Sequence, residues 1–475
     1  MESRIFKFLK RCKREQRRAL LDPEHYLGNP INAFTLIRRL FADFAPVEKV
    51  LNNTSAYRRE RFISYPSVAD MKGAVEGLTT LETVYSLNVT LLANGQLVSS
   101  CNKYHKKYIE RVSPMTANDC YEMGQAALQN NDYERLLSWM KAVYDKYRIC
   151  DSCPFTLMNI VDWIIKTNYM LENYKETINW LKRRISLDPN DPGNTNATAF
   201  MSHLAAGNKN KNPIKAVKKN DEDWRLCTGS SSNASLKCRY VHGPHPFLRL
   251  APVKEEQLYH DPMIKLYRDV ITDEEIRHIQ RLAKPKLWVA KTGTRSGGWQ
   301  KNRDRITEIM FLASNQSAIV TRFSRRVSLF TGHDYVYGTL QPANYGLCGL
   351  FASHVDAFVK AEVGLNRLAT VLVYMSDVEL GGATVFTKLN LTVFPEKGAA
   401  LYWDNLHVSG ERDFRTEHAA CPVLRGSKWV VTKWIEGQGQ ELVKPCPLKC
   451  IAVRDPNVYD PSSAEYRGCS VANIT

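Results

Sequence analysis

Three side chains in the last third of the sequence have the types and spacing of a metal site. His354 and Asp356 are two positions apart, so on a β-strand their imidazole and carboxylate would share one face. His418 follows 64 residues after His354 and supplies a third possible ligand. Two histidines and one carboxylate with open positions are typical of non-haem Fe(II) oxygenases, whereas zinc usually prefers a closed tetrahedral or hydrolytic site. We therefore expect iron, although a His-x-Asp pair alone is more often a hydrogen-bonded surface pair.

A lysine ten residues after His418 suggests an organic ligand for this site. Lys428 begins a predicted strand that also contains Lys433. Because side chains alternate between the two faces of a strand, Lys433 points to the face opposite Lys428. Three residues share the face of Lys428: Val430, Thr432 and Trp434. An inward Lys428 requires an anion, because an unpaired buried charge is costly. A dicarboxylate co-substrate that chelates the metal at one end would supply that anion at the other. The alternative, an exposed strand lysine, is less favoured for Lys428 than for Lys433.

The elements that must position these groups are short apolar strands with turn residues between them. Five such stretches follow Pro252: Thr339–Tyr345, Arg367–Met375, Ala383–Phe386, Ala399–Trp403 and Lys428–Ile435. Regularly spaced short strands predict a sandwich, barrel or jelly roll. A helix at Thr272–Leu282 precedes them, with Thr272 as its N-cap and Glu275 at the capping-box position.

Helical periodicity dominates the first part of the chain. Apolar residues recur every three or four positions over Asn32–Phe44, and a second helical stretch covers Ser67–Leu87. Two helical hairpins are predicted farther on: Asp119–Gln129 with Asp132–Lys146, and Phe155–Met170 with Tyr174–Ser186. The spacing from Thr177 to Pro189 and the small Gly124 resemble a tetratricopeptide repeat.

Tyrosines are frequent in these hairpins and could line a groove. Aromatic slots accept the preformed polyproline II shape, which favours a proline-rich extended peptide as ligand. Candidate peptide-binding residues are Tyr133, Tyr169 and Tyr174. Packing between helices is the alternative interpretation, and it applies to most tyrosines of this region.

Composition narrows the classes of protein. The chain has 475 residues, and about 150 residues per domain predicts roughly three domains. Hydrophobic residues make up 44%, which excludes a disordered polymer, and 25 glycines with 21 prolines exclude a collagen-like chain. The net charge of +16 is spread out, and no zinc-finger or RNA-recognition signature accompanies it, so we expect no nucleic-acid partner. No apolar run approaches the roughly 20 residues of a membrane helix.

Cysteines and glycosylation motifs favour a secretory compartment. Twelve cysteines include three pairs that bracket short stretches: Cys150 with Cys153, Cys227 with Cys238, and Cys421 with Cys446. Asn-x-Ser/Thr motifs recur, for example at Asn88 and Asn390, as in a glycoprotein. The basic start, Met1–Leu20, contains no signal-peptide core; a transit segment or a helix are the alternatives, and we expect an atypical or truncated N-terminus.

A block of motifs resembles the α subunit of collagen prolyl 4-hydroxylase. The block comprises Asn344-Tyr345-Gly346, His354-x-Asp356, Tyr374-Met375-Ser376-Asp377-Val378, Gly381–Phe386, Lys397-Gly398, Ser409-Gly410 and His418–Val423 through Lys428-Trp429. Upstream, residues 22–34 resemble the N-terminal region of that family, and residues 116–189 resemble its peptide-binding domain. The resemblance runs from about residue 20 to about residue 446.

This resemblance implies an α+β multidomain protein. The expected regions are a helical N-terminal dimerisation region at 1–110, a tetratricopeptide-like peptide-substrate-binding domain at 114–205, a linker with a cysteine pair at 206–250, a double-stranded β-helix (jelly roll) oxygenase domain at 251–446 and a tail at 447–475. It also implies intrachain disulfides Cys227–Cys238 and Cys421–Cys446.

The resemblance also implies a reaction and a set of site residues. Fe(II) would be bound by His354, Asp356 and His418; 2-oxoglutarate by Lys428, Tyr345 and Thr384; and Trp434 would be a further pocket residue. The enzyme would use O₂ and ascorbate and convert peptidyl proline to 4-hydroxyproline with release of succinate and CO₂. Its partners would be a collagen-like peptide and protein disulfide isomerase as β subunit, in a hetero-tetramer in the lumen of the endoplasmic reticulum.

Three stretches depart from the pattern of the family: 293–305, 347–353 and 387–392. Substrate preference is therefore open. One alternative is an inactive or divergent peptide-binding subunit, which the intact ligands disfavour. Another is a hydroxylase of a non-collagen secreted proline-rich protein. A nucleic-acid demethylase is disfavoured by the secretory features.

Overall fold

A computed structural model describes most of the chain. The described residues are 2–44, 65–150, 153–207, 222–229, 237–243, 245–293, 299–300, 303–333, 339–358, 366–407, 410–440 and 442–443. The predicted tail at 447–475 and Cys446 lie outside these ranges. No helix among the described residues is long and apolar enough to cross a membrane.

The N-terminal region is built from helices and one β-hairpin. Its helices are α1 (Glu2–Leu21), α2 (Pro23–Leu27), α3 (Pro30–Arg38, continued by a π-helical turn at Arg39–Phe44), α4 (Val68–Val84) and α5 (Val89–Ala93). The hairpin pairs β1 (Gln96–Ser99) with β2 (Tyr108–Arg111). Helix α4 begins at a capping box in which Ser67 and Asp70 satisfy each other's backbone N–H groups.

Two helical hairpins follow, as the periodicity predicts. They comprise α6 (Ala117–Gln129) with α7 (Tyr133–Lys146) and α8 (Leu157–Met170) with α9 (Tyr174–Leu187), followed by α10 (Asn194–Ala205). Gly124 of α6 lies against Met140 of α7, and a Cβ atom at position 124 would have to displace the Met140 Cε atom. Short helices α11 (Glu222–Arg225) and α12 (Pro246–Leu250) lead into the β region.

The C-terminal region contains two facing β-sheets and two helices. The helices are α13 (Asp273–Ala283) and α14 (Ala318–Thr331). The larger sheet contains β3 (Cys238–Val241), β4 (Val253–Tyr259), β5 (Ile264–Arg268), β6 (Trp288–Val289), β10 (Glu308–Ile309), β11 (Leu340–Tyr345), β13 (Arg367–Tyr374), β17 (Ala400–Asp404) and β20 (Lys428–Glu436). The smaller sheet contains β9 (Arg305–Ile306), β12 (Leu350–His354), β15 (Thr384–Phe386), β16 (Leu391–Val393) and β18 (His418–Ala420). Two small pairs complete the region: β7 (Thr292–Gly293) with β8 (Trp299–Gln300), and β14 (Leu380–Gly381) with β19 (Val423–Arg425).

The strand order explains how distant parts of the sequence meet. The larger sheet runs β3-β4-β5-β17-β13-β20-β11-β10-β6, and the smaller runs β16-β15-β18-β12-β9. All neighbours in both sheets are antiparallel. Strand β3 lies within the predicted linker 206–250 and pairs with β4, so these residues join the larger sheet instead of only connecting to it. Two facing antiparallel sheets of this kind form the predicted jelly roll.

The helical region packs against the smaller sheet. One hydrophobic cluster contains Leu78 and Leu81 of α4 together with Val385 and Ala419 of that sheet. Arg425, which is fully buried, donates hydrogen bonds to the Glu110 carboxylate at 2.7 and 3.1 Å and to the His25 carbonyl at 3.0 Å. These contacts hold the N-terminal helices beside the strand that precedes Lys428.

The disulfides differ in part from the predicted pairing. Cys150 is bonded to Cys153, but Cys227 is bonded to Cys421, so the predictions Cys227–Cys238 and Cys421–Cys446 are both wrong in this structure. The physical reason is burial. Cys227 and Cys421 are fully buried in the same hydrophobic cluster, whereas Cys238 is an exposed free thiol on edge strand β3. The observed bond ties the segment after the helical region to Cys421, which directly follows strand β18 and its residue His418.

We expect the Cys227–Cys421 bond to stabilise the fold strongly. The double variant Cys227→Ser/Cys421→Ser opens a loop of 194 residues, which predicts a loss of about 3–5 kcal/mol in the free energy of unfolding. Denaturant unfolding without reductant measures this loss. Cys238→Ser is the control and should unfold like the original protein. An equal loss in both variants would instead favour the Cys227–Cys238 pairing.

Candidate active site

The three predicted metal ligands meet between the two sheets. His354 ends β12 and His418 begins β18, and the strand register places the two residues directly opposite each other. Asp356 follows β12 by two residues, and its carboxylate oxygens lie 3.7 Å from His354 Nε2 and 3.9 Å from His418 Nε2. Ligand atoms of all three lie within 4.8 Å of one another, so a single ion can contact the whole set.

Backbone carbonyls fix the orientation of both imidazole rings. His354 Nδ1 is 2.8 Å from the Ala352 carbonyl oxygen, and His418 Nδ1 is 3.0 Å from that of Thr416. When each Nδ1–H donates a hydrogen bond to its carbonyl, each Nε2 carries no proton and its lone pair can coordinate the ion. Burial and the neighbouring His418 lower the pKa of His354 to about 3, so its ring is neutral as a metal ligand requires.

The Asp356 carboxylate is held by a chain of hydrogen bonds. Thr370 Oγ1 donates to Asp356 Oδ2 at 2.7 Å, and Asn405 Nδ2 donates to Thr370 Oγ1 at 2.8 Å. Burial alone would raise the pKa of Asp356, but His418, His354 and Arg367 together lower it to about 2. The group is therefore a carboxylate at neutral pH, as expected for an iron ligand.

Removing the Thr370 hydroxyl should weaken metal binding without unfolding the protein. Thr370→Val keeps the side-chain shape but leaves Asp356 without its orienting donor. Loss of such a partner typically costs about 10–100-fold in metal affinity, and anaerobic Fe(II) titration measures it. Thr331→Val, which removes a helical hydroxyl on α14, is the control. Equal Fe(II) affinity in the two variants would show that Asp356 needs no support from Thr370.

A buried lysine lines the same cavity. Lys428 is 1% exposed, and burial lowers the pKa of its ammonium group to about 7. Its Nζ donates to Thr384 Oγ1 at 3.3 Å and lies 5.4 Å from the Tyr345 ring centroid. No carboxylate among the described residues forms an ion pair with it. Such a cation favours a ligand that brings its own negative charge.

Thr384 is arranged to donate to the same ligand. Its Oγ1 accepts one hydrogen bond from Lys428 and another from the Tyr374 hydroxyl at 2.9 Å. With both lone pairs used, the Thr384 O–H remains as a donor. Lys428 and Thr384 can therefore bind one carboxylate together.

The metal ligands and Lys428 line one cavity between the two sheets. Both sheets contribute to its wall, which consists of Arg305, Gln341, Tyr345, Phe351, His354, Asp356, Thr370, Leu372, Thr384, Trp403, His418, Ala420, Lys428, Val430, Thr432 and Trp434. The predicted alternation of β20 is confirmed, since the four residues assigned to one face all line the cavity. Lys433 points to the other face but is buried, so the exposed position considered for it is wrong.

Every predicted metal and co-substrate residue lines this cavity, and so does Trp434. Sequence reasoning missed Arg305, Gln341 and Thr370. Thr370 was visible as a lone hydroxyl on the inward face of an apolar strand, which is a usable signal. Arg305 donates to Gln341 Oε1 at 3.2 Å and lies over the Phe351 ring, and its position in a divergent stretch gave no signal.

The three predicted peptide-binding tyrosines pack against two hydrophobic clusters of the helical region. Tyr169 packs against Tyr174 and Phe200, with ring centroids 6.0 and 5.1 Å away. Tyr133 packs instead against the main core cluster of the helical region. All three are partly buried, and their role in peptide binding stays a prediction.

Comparison with known proteins agrees with this geometry. Residues 340–436 match the 2OG-Fe(II) oxygenase superfamily, and residues 3–99 match the family described as prolyl 4-hydroxylase alpha-subunit, N-terminal region. The first match covers His354, Asp356, His418 and Lys428. The fold and the site therefore define an oxygenase that uses Fe(II), 2-oxoglutarate and O₂.

Full-length relatives are more specific. The chain is 34% identical over 460 residues to prolyl 4-hydroxylase subunit alpha-2 of Caenorhabditis elegans, covering 89% of this chain and 83% of that protein. It is 31% identical over 489 residues to prolyl 4-hydroxylase subunit alpha-1 of Homo sapiens, covering 94% and 89%. A solved viral collagen prolyl hydroxylase from Paramecium Bursaria Chlorella virus-1 is 20% identical, with a TM-score of 0.31 over 37% of this chain and 96% of its own. The chain belongs to the prolyl 4-hydroxylase alpha-subunit family.

Proposed function

We propose that this chain is a catalytic alpha subunit that hydroxylates C4 of proline residues in collagen-like peptides. His354, Asp356 and His418 bind Fe(II), while Lys428, Thr384 and Tyr345 bind 2-oxoglutarate. When bound, iron with 2-oxoglutarate and O₂ supplies the oxidising chemistry that yields 4-hydroxyproline, succinate and CO₂. Ascorbate maintains the iron in its reduced form.

One observation carries the proposal: the three metal ligands line the same cavity as the buried Lys428 ammonium, which has no ion-pair partner among the described residues. A ligand with a chelating end and a carboxylate end fits both. The donor set also fits iron, because both imidazoles present Nε2 and the carboxylate is ionised. Two histidines and one carboxylate leave coordination positions for the keto-acid and O₂. An inactive peptide-binding subunit has no need of this arrangement.

The remaining parts of the chain serve substrate binding and assembly in this proposal. The hairpins α6/α7 and α8/α9 form a tetratricopeptide-like domain that binds proline-rich peptide. Protein disulfide isomerase is the β subunit, in a hetero-tetramer in the lumen of the endoplasmic reticulum. Family membership, the Cys150–Cys153 and Cys227–Cys421 bonds and the sequons support this assignment.

Peptide turnover tests the proposed function. The chain, co-expressed with its β subunit, is incubated with Fe(II), 2-oxoglutarate, ascorbate and a (Pro-Pro-Gly)-type peptide. We expect succinate release matched by one added oxygen atom per hydroxylated proline in the mass spectrum. No succinate and no modified peptide, with iron and 2-oxoglutarate shown to bind, would favour an inactive subunit.

Because the stretches 293–305, 347–353 and 387–392 depart from the pattern of the family, a second substrate class must be distinguished from collagen. This class is a secreted proline-rich protein without collagen repeats. Peptides with and without Gly after the target proline separate the two. We expect a preference for Gly at that position. Equal or better turnover without Gly would move the substrate outside collagen while leaving the reaction unchanged.

A further inference from the structure

Two exposed aromatic side chains lie at the edge of the larger sheet, outside the chemistry described above. Trp288 on β6 is 46% exposed, and Phe311, two residues beyond β10, is 47% exposed. Their ring centroids are 6.1 Å apart. We name these two residues the aromatic shelf. Two large rings left in contact with water and with each other form an apolar surface that a ligand can cover.

Strand register places the aromatic shelf on the face of the sheet that lines the cavity. Trp288 lies opposite Ile309, and Ile309 lies opposite Ala343. Ala343 alternates with Gln341, which lines the cavity. The same register puts Phe311 opposite Gln341. Because opposite residues and alternate residues share a face, the two rings continue the cavity wall outward.

We propose that the aromatic shelf binds prolyl residues that flank the target proline of the peptide substrate. The proposal rests on the proposed function, because it needs a proline-rich chain that enters the cavity. The aromatic shelf and the cavity wall lie on the same face of the larger sheet. A peptide whose target proline enters the cavity past Gln341 therefore extends along this face and over the shelf. Proline rings in the polyproline II conformation pack well on aromatic rings.

The spacing sets which residue of the peptide reaches the shelf. Trp288 lies two strands beyond Gln341, which is about 10 Å at roughly 4.8 Å per strand. A polyproline II chain rises about 3.1 Å per residue, so the contact falls three or more positions from the target proline. Peptides with a single flanking residue cannot reach Trp288, whereas Phe311, opposite Gln341 on the adjacent strand, lies within their reach.

Peptide length is therefore the experimental variable. Peptides with one target proline carry either one or six prolyl-rich residues on each side, and KM and kcat are measured for Trp288→Ala and Phe311→Ala. We expect a rise of about five-fold in KM for the long peptide in both variants, no change for the short peptide in Trp288→Ala, and an unchanged kcat. Anaerobic binding of the labelled long peptide to the enzyme loaded with Fe(II) and 2-oxoglutarate should show the same loss, and Trp288→Tyr should restore most of it.

Tyr240→Ala is the matched control. Tyr240 is 63% exposed on β3, the opposite edge strand of the same sheet, and should not affect either peptide. An equal effect of Tyr240→Ala and Trp288→Ala, or an equal effect of Trp288→Ala on long and short peptides, would overturn the shelf. If the wild type hydroxylates the peptides and Trp288→Ala has the same KM as the wild type for both peptide lengths, the shelf proposal is overturned and the proposed function stands. A wild type that neither binds nor oxidises any proline-rich peptide would overturn the proposed function with it.

Discussion

Replacing His418 with alanine should abolish turnover and weaken Fe(II) binding by at least about a hundredfold, since loss of groups that merely orient a ligand already costs about 10–100-fold. Only His354 and Asp356 would remain, and they cannot hold the ion in the facial arrangement that keeps positions open for the keto-acid. The variant should fold, because His418 lies at the cavity wall and its Nε2 faces the other ligands and not the core.

Anaerobic Fe(II) titration and succinate release measure the two effects of His418→Ala. His278→Ala is the control, because that ring contacts Ser317 on the far side of the larger sheet and should leave both values unchanged. Near-normal activity of His418→Ala would remove His418 from the ligand set. Unfolding can be separated from metal loss by comparing the denaturant midpoints of the two variants.

Alternation along single strands was the part of the site that the sequence could predict. The period of two along β20 correctly separates Lys428 from Lys433, because a strand has only two faces. His354-x-Asp356 similarly brings two ligands to one region, although Asp356 follows the strand and is not part of it. The capping box at Thr272 and Glu275 is confirmed as well, since it depends on residues three positions apart. In each case the sequence pattern and the structural feature that it predicts involve residues only a few positions apart.

Contacts between distant segments could not be read in this way. Asn405 supports Thr370, and Thr370 supports Asp356, through hydrogen bonds between residues 35 and 14 positions apart. Arg425 contacts His25, which is 400 positions away. The disulfide error has the same origin: Cys238 is near Cys227 in sequence, but the sheet carries it to an exposed edge while the core brings Cys421 to Cys227.

The Arg425 contacts also show why the helical region matters to the site. Gly426 N–H donates to the Gly28 carbonyl at 3.0 Å, two residues before Lys428. Ser427 Oγ donates to Asn344 Oδ1 at 2.7 Å, beside Tyr345. The turn that leads into β20 is therefore held from both sides, by the N-terminal helices and by the neighbouring strand β11. The buried lysine is positioned by the assembled chain and not by the jelly roll alone.

Replacing Lys428 with methionine should raise the 2-oxoglutarate concentration required for half-maximal activity by about a hundredfold. Removing one partner of a buried charge pair costs about 3 kcal/mol, and each 1.4 kcal/mol is about tenfold in affinity. Fe(II) affinity should not change, because no hydrogen bond among the described residues joins Lys428 to a metal ligand. Lys433→Met is the matched control, since it removes an equally buried ammonium from the opposite face of the same strand. An unchanged 2-oxoglutarate requirement in Lys428→Met would exclude this role.

Titration of Lys428 gives a second, independent signature of the same contact. Burial lowers the pKa of the ammonium to about 7, whereas a bound carboxylate stabilises the charged form and raises it. Below pH 7 the group is already protonated, so 2-oxoglutarate binds without proton uptake. Above pH 7 binding must take up a proton, and affinity should fall toward tenfold per pH unit until the pKa of the complex is reached. Calorimetry at pH 8 in two buffers of different ionisation enthalpy should show uptake close to one proton in the original protein and in Lys433→Met, and none in Lys428→Met. Equal uptake in all three would place the titrating group elsewhere in the cavity.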